Sequence, residues 1–171
     1  SVDFDPRQDN CLKHPTYNSN EHRWGDGRAK ICHYEVLQNG VPSNGIVKRG
    51  DHLLIRMSVL FEQDINDLIY GITVKTDDGN AIYGTNSRLV GNVPTFQKAG
   101  DLVHIQFELS LHLLSGNYFI SLGVAQDHMA KDNIAVDRRY DMVHINIRET
   151  EDAFGIAALD GKIELIKDGE E

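Results

Sequence analysis

Residues 102–109 read LVHIQFEL, with Val103, Ile105, Phe107 and Leu109 alternating strictly against His104, Gln106 and Glu108. A period of two places the apolar set on one face of an extended strand and the polar set on the other, and a helix cannot segregate residues spaced this way. The same rhythm runs through residues 52–61, where Leu53, Ile55, Met57, Val59 and Phe61 share a face opposite Arg56 and Ser58. It returns at 68–76, with Leu68, Tyr70, Ile72 and Val74 together, and again at 117–126, 141–148 and, briefly, 162–166. Turn chemistry separates the runs: Asn39-Gly40, Asn44-Gly45, Asp78-Gly79 and Ser115-Gly116 supply residues that accept the backbone angles of a tight reversal. About seven such strands and almost no helix predict an all-β chain, an antiparallel β-sandwich. The one helix candidate of note, residues 151–159, is weakened by Gly155.

The first strand carries an irregularity. Ala29 and Ile31 keep step, but the apolar set resumes at Tyr34 and Val36, one residue out of phase. A β-bulge near Cys32-His33 accounts for the slip. Upstream, residues 1–22 are rich in Asn, Asp, Pro and His without any period and read as a linker or arm; residues 23–171 read as the sandwich. A chain of 171 residues suits one domain. It opens on Ser rather than Met, which reads as a fragment of something longer.

A net charge of −9 argues against a nucleic-acid partner, whose phosphates would be repelled. No run approaches the roughly 18 apolar residues of a spanning helix, and the polar opening SVDFDPRQDN is no secretion signal. Two cysteines, Cys11 and Cys32, are too few for a disulfide scaffold, and without a leader the expected location is the cytoplasm, with both thiols reduced. Catalytic signatures fail one after another. GDGRAK has Lys30 where a dinucleotide loop needs its third Gly, no phosphate-cradling GxxxxGK[ST] occurs, and neither GxSxG nor HExxH is present. The eight histidines lack ligand spacing, as do Asp127, Asp132 and Asp137, so no metal and no cofactor is expected. With no pair of carboxylates set toward one groove, the chain reads as a non-enzyme.

Binding has better support. Arg56, Ser58, His104 and Gln106 come from two strands that pair in many sandwiches and fall on the outward faces. Such a surface offers dense donors and acceptors for the hydroxyls of a sugar, with Arg56 available to an acidic group. On the other sheet the outward set is Ile69, Gly71, Thr73, Phe119, Ser121, Gly123, Ala125, Met142 and His144. Residues this small and apolar indicate a covered surface or a shallow groove with Phe119 as a stacking platform. Trp24, beside a turn, is expected to plug one end of the sandwich.

Taken in order, WGDGRAKI, RGDHLLIRMSVLF, YGITVKTDDGNAIYGTNS and LLSGNYFISLGVA resemble the C-terminal domain of Wzt-type ATPase subunits. Those subunits serve ABC transporters that export lipid-linked O-antigen polysaccharide. The stretch from Gly79 to Ser87 is the most telling, and the likeness spans residues 23–166. It implies an immunoglobulin-like sandwich that binds the exported glycan, often at its modified non-reducing end. It also implies a homodimer, an upstream nucleotide-binding domain and a membrane-spanning partner subunit, on the cytoplasmic side of the inner membrane. Gly25, Gly27, Gly84, Thr85 and Asn86 match as structural landmarks; no sugar-contacting position carries over. The competing expectation is a structural module that dimerises the ATPase and binds no glycan. The final strand, 162–166, follows a weakly structured segment and is expected to pair across the dimer.

Overall fold

A computed structural model of the chain describes residues 2–91, 93–129, 132–148 and 152–169. Among the described residues ten strands are formed: β1 His22–Trp24, β2 Ala29–Gln38, β3 Val41–Pro42, β4 Ile46–Lys48, β5 His52–Phe61, β6 Leu68–Thr76, β7 Ala81–Asn86, β8 Leu102–Ser110, β9 Gly116–Gln126 and β10 Ile134–Arg148. A single helical turn, α1 (Ser87–Val90), follows β7, capped by the Asn86 side chain accepting from the Leu89 amide. One sheet runs β1-β10-β9-β6-β7, with β4 joining β10 in parallel; the other runs β3-β2-β5-β8. Every other pairing is antiparallel. The chain is therefore the all-β antiparallel sandwich that the alternation predicts, and the immunoglobulin-like one that the resemblance implies.

The inward residues of both sheets, among them Ile31, Tyr34, Leu53, Ile55, Met57, Ile72, Ile120, Leu122 and Ile145, fill one core. Burying each large apolar side chain contributes roughly 1.5–3 kcal/mol, which is why the alternation persists strand after strand. The Asp78-Gly79 signal closes the β6–β7 hairpin, with the Thr76 amide bonded to the Asn80 carbonyl and Gly79 at φ +87°.

Among the described residues the ladders shift register at four places, once in β2, once in the β6–β7 pair and twice in β10. In β2 the register against β5 shifts between Ile31 and His33, at the phase slip in the sequence. In β10 it shifts between Arg139 and Val143, with Asp141 at φ +58°. This last irregularity overturns one expectation. Met142, assigned to the outward face, is fully buried, because it lies inside the Arg139–Val143 irregularity, where the left-handed Asp141 breaks the alternation and both Met142 and Val143 turn into the core.

Residues 2–21 lie against the sandwich. Cys11 is buried in the core, Tyr17 bridges Val143 of β10, and the Thr16 carbonyl accepts from the His144 amide. The tie that matters most is Arg139, 1% exposed, which faces inward opposite Leu122 of β9 because one extra residue between Ala135 and Asp137 shifts the register of β10. It donates from Nη1 and Nη2 to the two oxygens of Asp9 at 2.9 Å each, and from Nε to Glu21 at 3.0 Å. Arg139 Nη1 also donates to the Ile31 carbonyl at 3.0 Å, while the Ile31 amide donates to Asp137 at 2.7 Å. Side chains of β10 thus satisfy the free edge of β2 where no strand pairs with it.

At the other end, the chain is pinned by the Leu114 amide to Ile156 O and the Ala158 amide to His112 O. Beyond that point Ile163, Leu165 and Ile166 are exposed, and residues 162–166 form no strand within the single chain. The helix expected over 151–159 is not formed at 152–159; residue 151 lies outside the described residues.

Candidate functional site

Cross-strand register decides which polar side chains meet. Glu35 of β2 sits opposite Arg56 of β5, which sits opposite Gln106 of β8. Two residues along, His33, Ser58 and His104 line up in the same way. These rungs cross the outer face of the four-stranded sheet, and adjacent rungs are roughly 7 Å apart along the strands. The β2 bulge is what brings His33 and Glu35 into step with Ser58 and Arg56.

All four residues expected from sequence are on this face. Arg56 donates from Nε and Nη2 to Gln106 Oε1 at 2.8 and 2.6 Å, and from Nη1 to Glu35 Oε2 at 3.1 Å. Ser58 Oγ lies 2.8 Å from His104 Nδ1. Ser58 is only 2% exposed although it points outward, set between His33 and His104 in its rung. Arg56, Ser58 and His104 line a cleft of about 480 Å³, joined by His33 and Glu35; Gln106 stands outside the lining and holds Arg56 in place. The opposite wall comes from Phe4, Asn10, Lys13 and His14. Phe4 stacks on His33 with ring centroids 4.2 Å apart, and His14 tilts against both His33 and Tyr34.

The electrostatics of this cleft are balanced. Arg56 is matched by Glu35, and Lys13 has Asp3 in the same lining. Burial pushes the pKa of His14 down, with Glu35 opposing. Burial also lowers His33, assisted by the neighbouring His14 charge. Both imidazoles are therefore held toward their neutral forms at neutral pH. Neutral histidines, a hydroxyl and a matched Arg–Glu pair offer donors and acceptors in alternation, a pattern suited to hydroxyl groups.

The outer face of the six-stranded sheet is built differently. Gly71, Gly123 and Ala125 leave a trough of about 330 Å³ whose bottom is largely backbone. Thr73, Ser121, Asn86 and Leu89 form its sides, and Arg138 and Tyr140 close one end. Trp24 stands beside them, 43% exposed, with Arg138 over its ring at 5.1 Å and Tyr140 edge-on at 6.1 Å. The expectation that Trp24 plugs a sandwich end is therefore wrong: β1 pairs along β10, and its alternation turns His22 and Trp24 toward the outer face. Phe119 stacks on His144 at 5.0 Å further along the same sheet. Arg138 and Tyr140 fall outside the strand that the sequence predicts at 141–148, because β10 begins at Ile134.

Neither thiol is set up for chemistry. Cys11 and Cys32 are free and buried; burial raises both, Cys32 to about 11. No group of three or more His, Cys, Asp or Glu among the described residues is placed to hold a metal ion. Nor is any helix among them long and apolar enough to cross a membrane.

Comparison with known proteins adds to this geometry. A family model described as the Wzt C-terminal domain matches residues 20–159. A crystal structure of the C-terminal domain of wzt superposes with a TM-score of 0.86 at 32% identity, covering 97% of this chain and 99% of that one. No curated protein matches.

Proposed function

This chain belongs to the family of Wzt C-terminal domains, and on that premise we propose that it binds O-antigen polysaccharide without catalysis, holding its modified non-reducing end to recruit it to an ABC exporter. In that role it works on the cytoplasmic side of the inner membrane, joined to an upstream nucleotide-binding domain and, through it, to the membrane-spanning subunit. The observation that carries the reading is the pair of polar rungs that meet at a half-roofed cleft, Glu35 and Arg56 in one, with Gln106 holding Arg56 from outside, and His33, Ser58 and His104 in the other. Rigid strands hold these groups in place before any ligand arrives, so little conformational entropy is lost on binding. Arg56 is the strongest donor among them; a charge-assisted hydrogen bond is worth roughly 1.5–3 kcal/mol.

Retention of the chain on smooth lipopolysaccharide from its own source strain, against an unrelated serotype, tests the reading. Selective retention, lost in Arg56→Ala, is the expected result. Equal failure to bind either serotype by a folded protein would overturn it.

One observation favours a second reading, a dimerisation module. β8 is a nine-residue edge strand, and its inward residues Val103, Ile105 and Phe107 are only partly buried. Residues 162–166 leave the same end of β8 with an apolar, strand-like pattern and no partner strand. A tail from a second copy, laid along β8, would satisfy both. Deleting residues 160–171 should then convert the dimer to a monomer in light scattering. The two readings coexist if the dimer also binds glycan; dimerisation alone stands if it binds none.

A further inference from the structure

The cleft has two walls of different origin, and its chemistry is complete only when both are present. One is the sheet, fixed by the β2–β5–β8 ladder. The other is the arm, and the arm itself divides at Asp9. From Asp9 to Glu21 it is anchored by Arg139, by the buried Cys11 and by the Asn10 amide donating to Cys32 O at 2.8 Å. Before Asp9 the ties are few: the Phe4–His33 stack and Asn10 Nδ2 donating to Asp5 O at 2.8 Å and to Gln8 O at 3.0 Å. Asp5 and Arg7 otherwise pair with each other, in the open.

We propose that residues 2–8 form a ligand-responsive flap over the cleft, with Phe4 supplying the apolar contact for a sugar ring. This rests on the glycan-binding reading. A saccharide seated on the Arg56 and Ser58 rungs touches the flap on its far side, so flap closure and binding are one coupled equilibrium. By linkage, an open flap lowers the apparent affinity by the fraction of molecules that are closed, and a bound ligand deepens closure by the same factor. Phe4 is suited to this part, since an aromatic ring packs against the C–H face of a pyranose while His33 holds it in place from behind. In the exporter subunit proposed above, the nucleotide-binding domain precedes residue 2. The wall of the cleft is then the segment that connects the two domains, and its closure is a signal available to both.

The test is amide hydrogen exchange across residues 3–8, with and without O-polysaccharide released from the source strain's lipopolysaccharide, together with binding by Phe4→Ala. Exchange at these amides should slow at least tenfold at saturating polysaccharide, while amides of β9 stay unchanged. Phe4→Ala should bind at least fivefold more weakly, with an unchanged urea midpoint. Wild-type affinity in Phe4→Ala together with unaltered exchange, in a protein that binds and loses binding in Arg56→Ala, would overturn the flap alone. Absence of binding by the wild-type chain overturns the flap together with the glycan reading beneath it.

Discussion

The two outer faces of the sandwich reach concavity by opposite means. On the four-stranded sheet the hollow is made by adding material: an arm lies across polar rungs and leaves a cleft of about 480 Å³. On the six-stranded sheet it is made by leaving material out, since Gly71 and Gly123 lack the side chains that would fill about 330 Å³. The first hollow is organised by side chains that already bond to one another, such as Arg56 to Gln106 and Ser58 to His104. The second presents backbone, with an aromatic and cationic corner formed by Trp24, Arg138 and Tyr140. A cleft of paired polar groups is preorganised and selective, whereas a glycine-floored trough accepts many flat shapes. That difference is why the cleft is the better candidate for a recognition site.

Breaking the arm separates the faces most sharply. Arg139→Met leaves the nearly buried Glu21 carboxylate without its cationic partner and the partly exposed Asp9 with Arg23 alone, and removing one member of such a cluster costs up to about 3–5 kcal/mol. Urea denaturation should show that loss. Next comes Arg56→Ala, expected to weaken polysaccharide binding at least tenfold, in line with the roughly 1.5–3 kcal/mol of a charge-assisted bond. Glu35, left alone, is solvent-accessible, so stability should fall by less than about 1 kcal/mol.

Filling the trough is the complementary change. A Cβ at Gly123 would come no closer than 3.6 Å to Arg138 Cγ, and its φ is not left-handed, so Gly123→Leu should fold normally, within about 1 kcal/mol of wild type. Unchanged binding in isothermal titration keeps recognition in the cleft; a tenfold loss moves it to the trough. The smallest effect is expected from pH. His14 and His33 have folded pKa values below the ordinary 6.5 because burial disfavours their charge, so the folded state binds fewer protons than the unfolded one. Their contribution is complete above about 6.5 and falls as pH drops through and below that value. Amides 3–8 should accordingly exchange faster at pH 5.5 than at pH 7.5, after correction for intrinsic rates. Asp9 behaves in the same sense at lower pH. Burial raises it, but hydrogen bonds and charge from Arg139 outweigh that and leave it below 3.8, so its share of the arm's anchorage is lost only as pH falls through its depressed value.

What the sequence announced and what it hid follow from the range of the interactions. Alternation from Val103 to Leu109 fixes a strand face locally, and it correctly turned His104 and Gln106 outward beside Arg56 and Ser58. The β2 bulge was legible too, because a phase slip is itself a local pattern. The β10 irregularities were not. They rest on Asp141 adopting a left-handed backbone and on Arg139 finding carboxylates more than a hundred residues away, and no short window contains that information. Met142 and Trp24 were misplaced for the same reason. The contribution of the arm to the cleft was equally invisible, since residues 2–14 have no period and their partners lie on β2 and β10.

Gly25 bears on how such a domain can diversify. At φ +148° its missing Cβ would fall 2.3 Å from the Val136 carbonyl oxygen, so no other residue lets β1 lie on β10. From that three-residue strand, Arg23 reaches back to Asp137 and Asp9 beneath the arm while Trp24 faces the trough. Both hollows are thus referenced to one immovable point, whereas positions 56, 58, 104, 106 and 123 sit mid-strand with unstrained backbone facing outward. Substitution at the exposed ones among these can therefore change the chemistry of either face one residue at a time while β1 stays on β10, provided position 25 stays glycine.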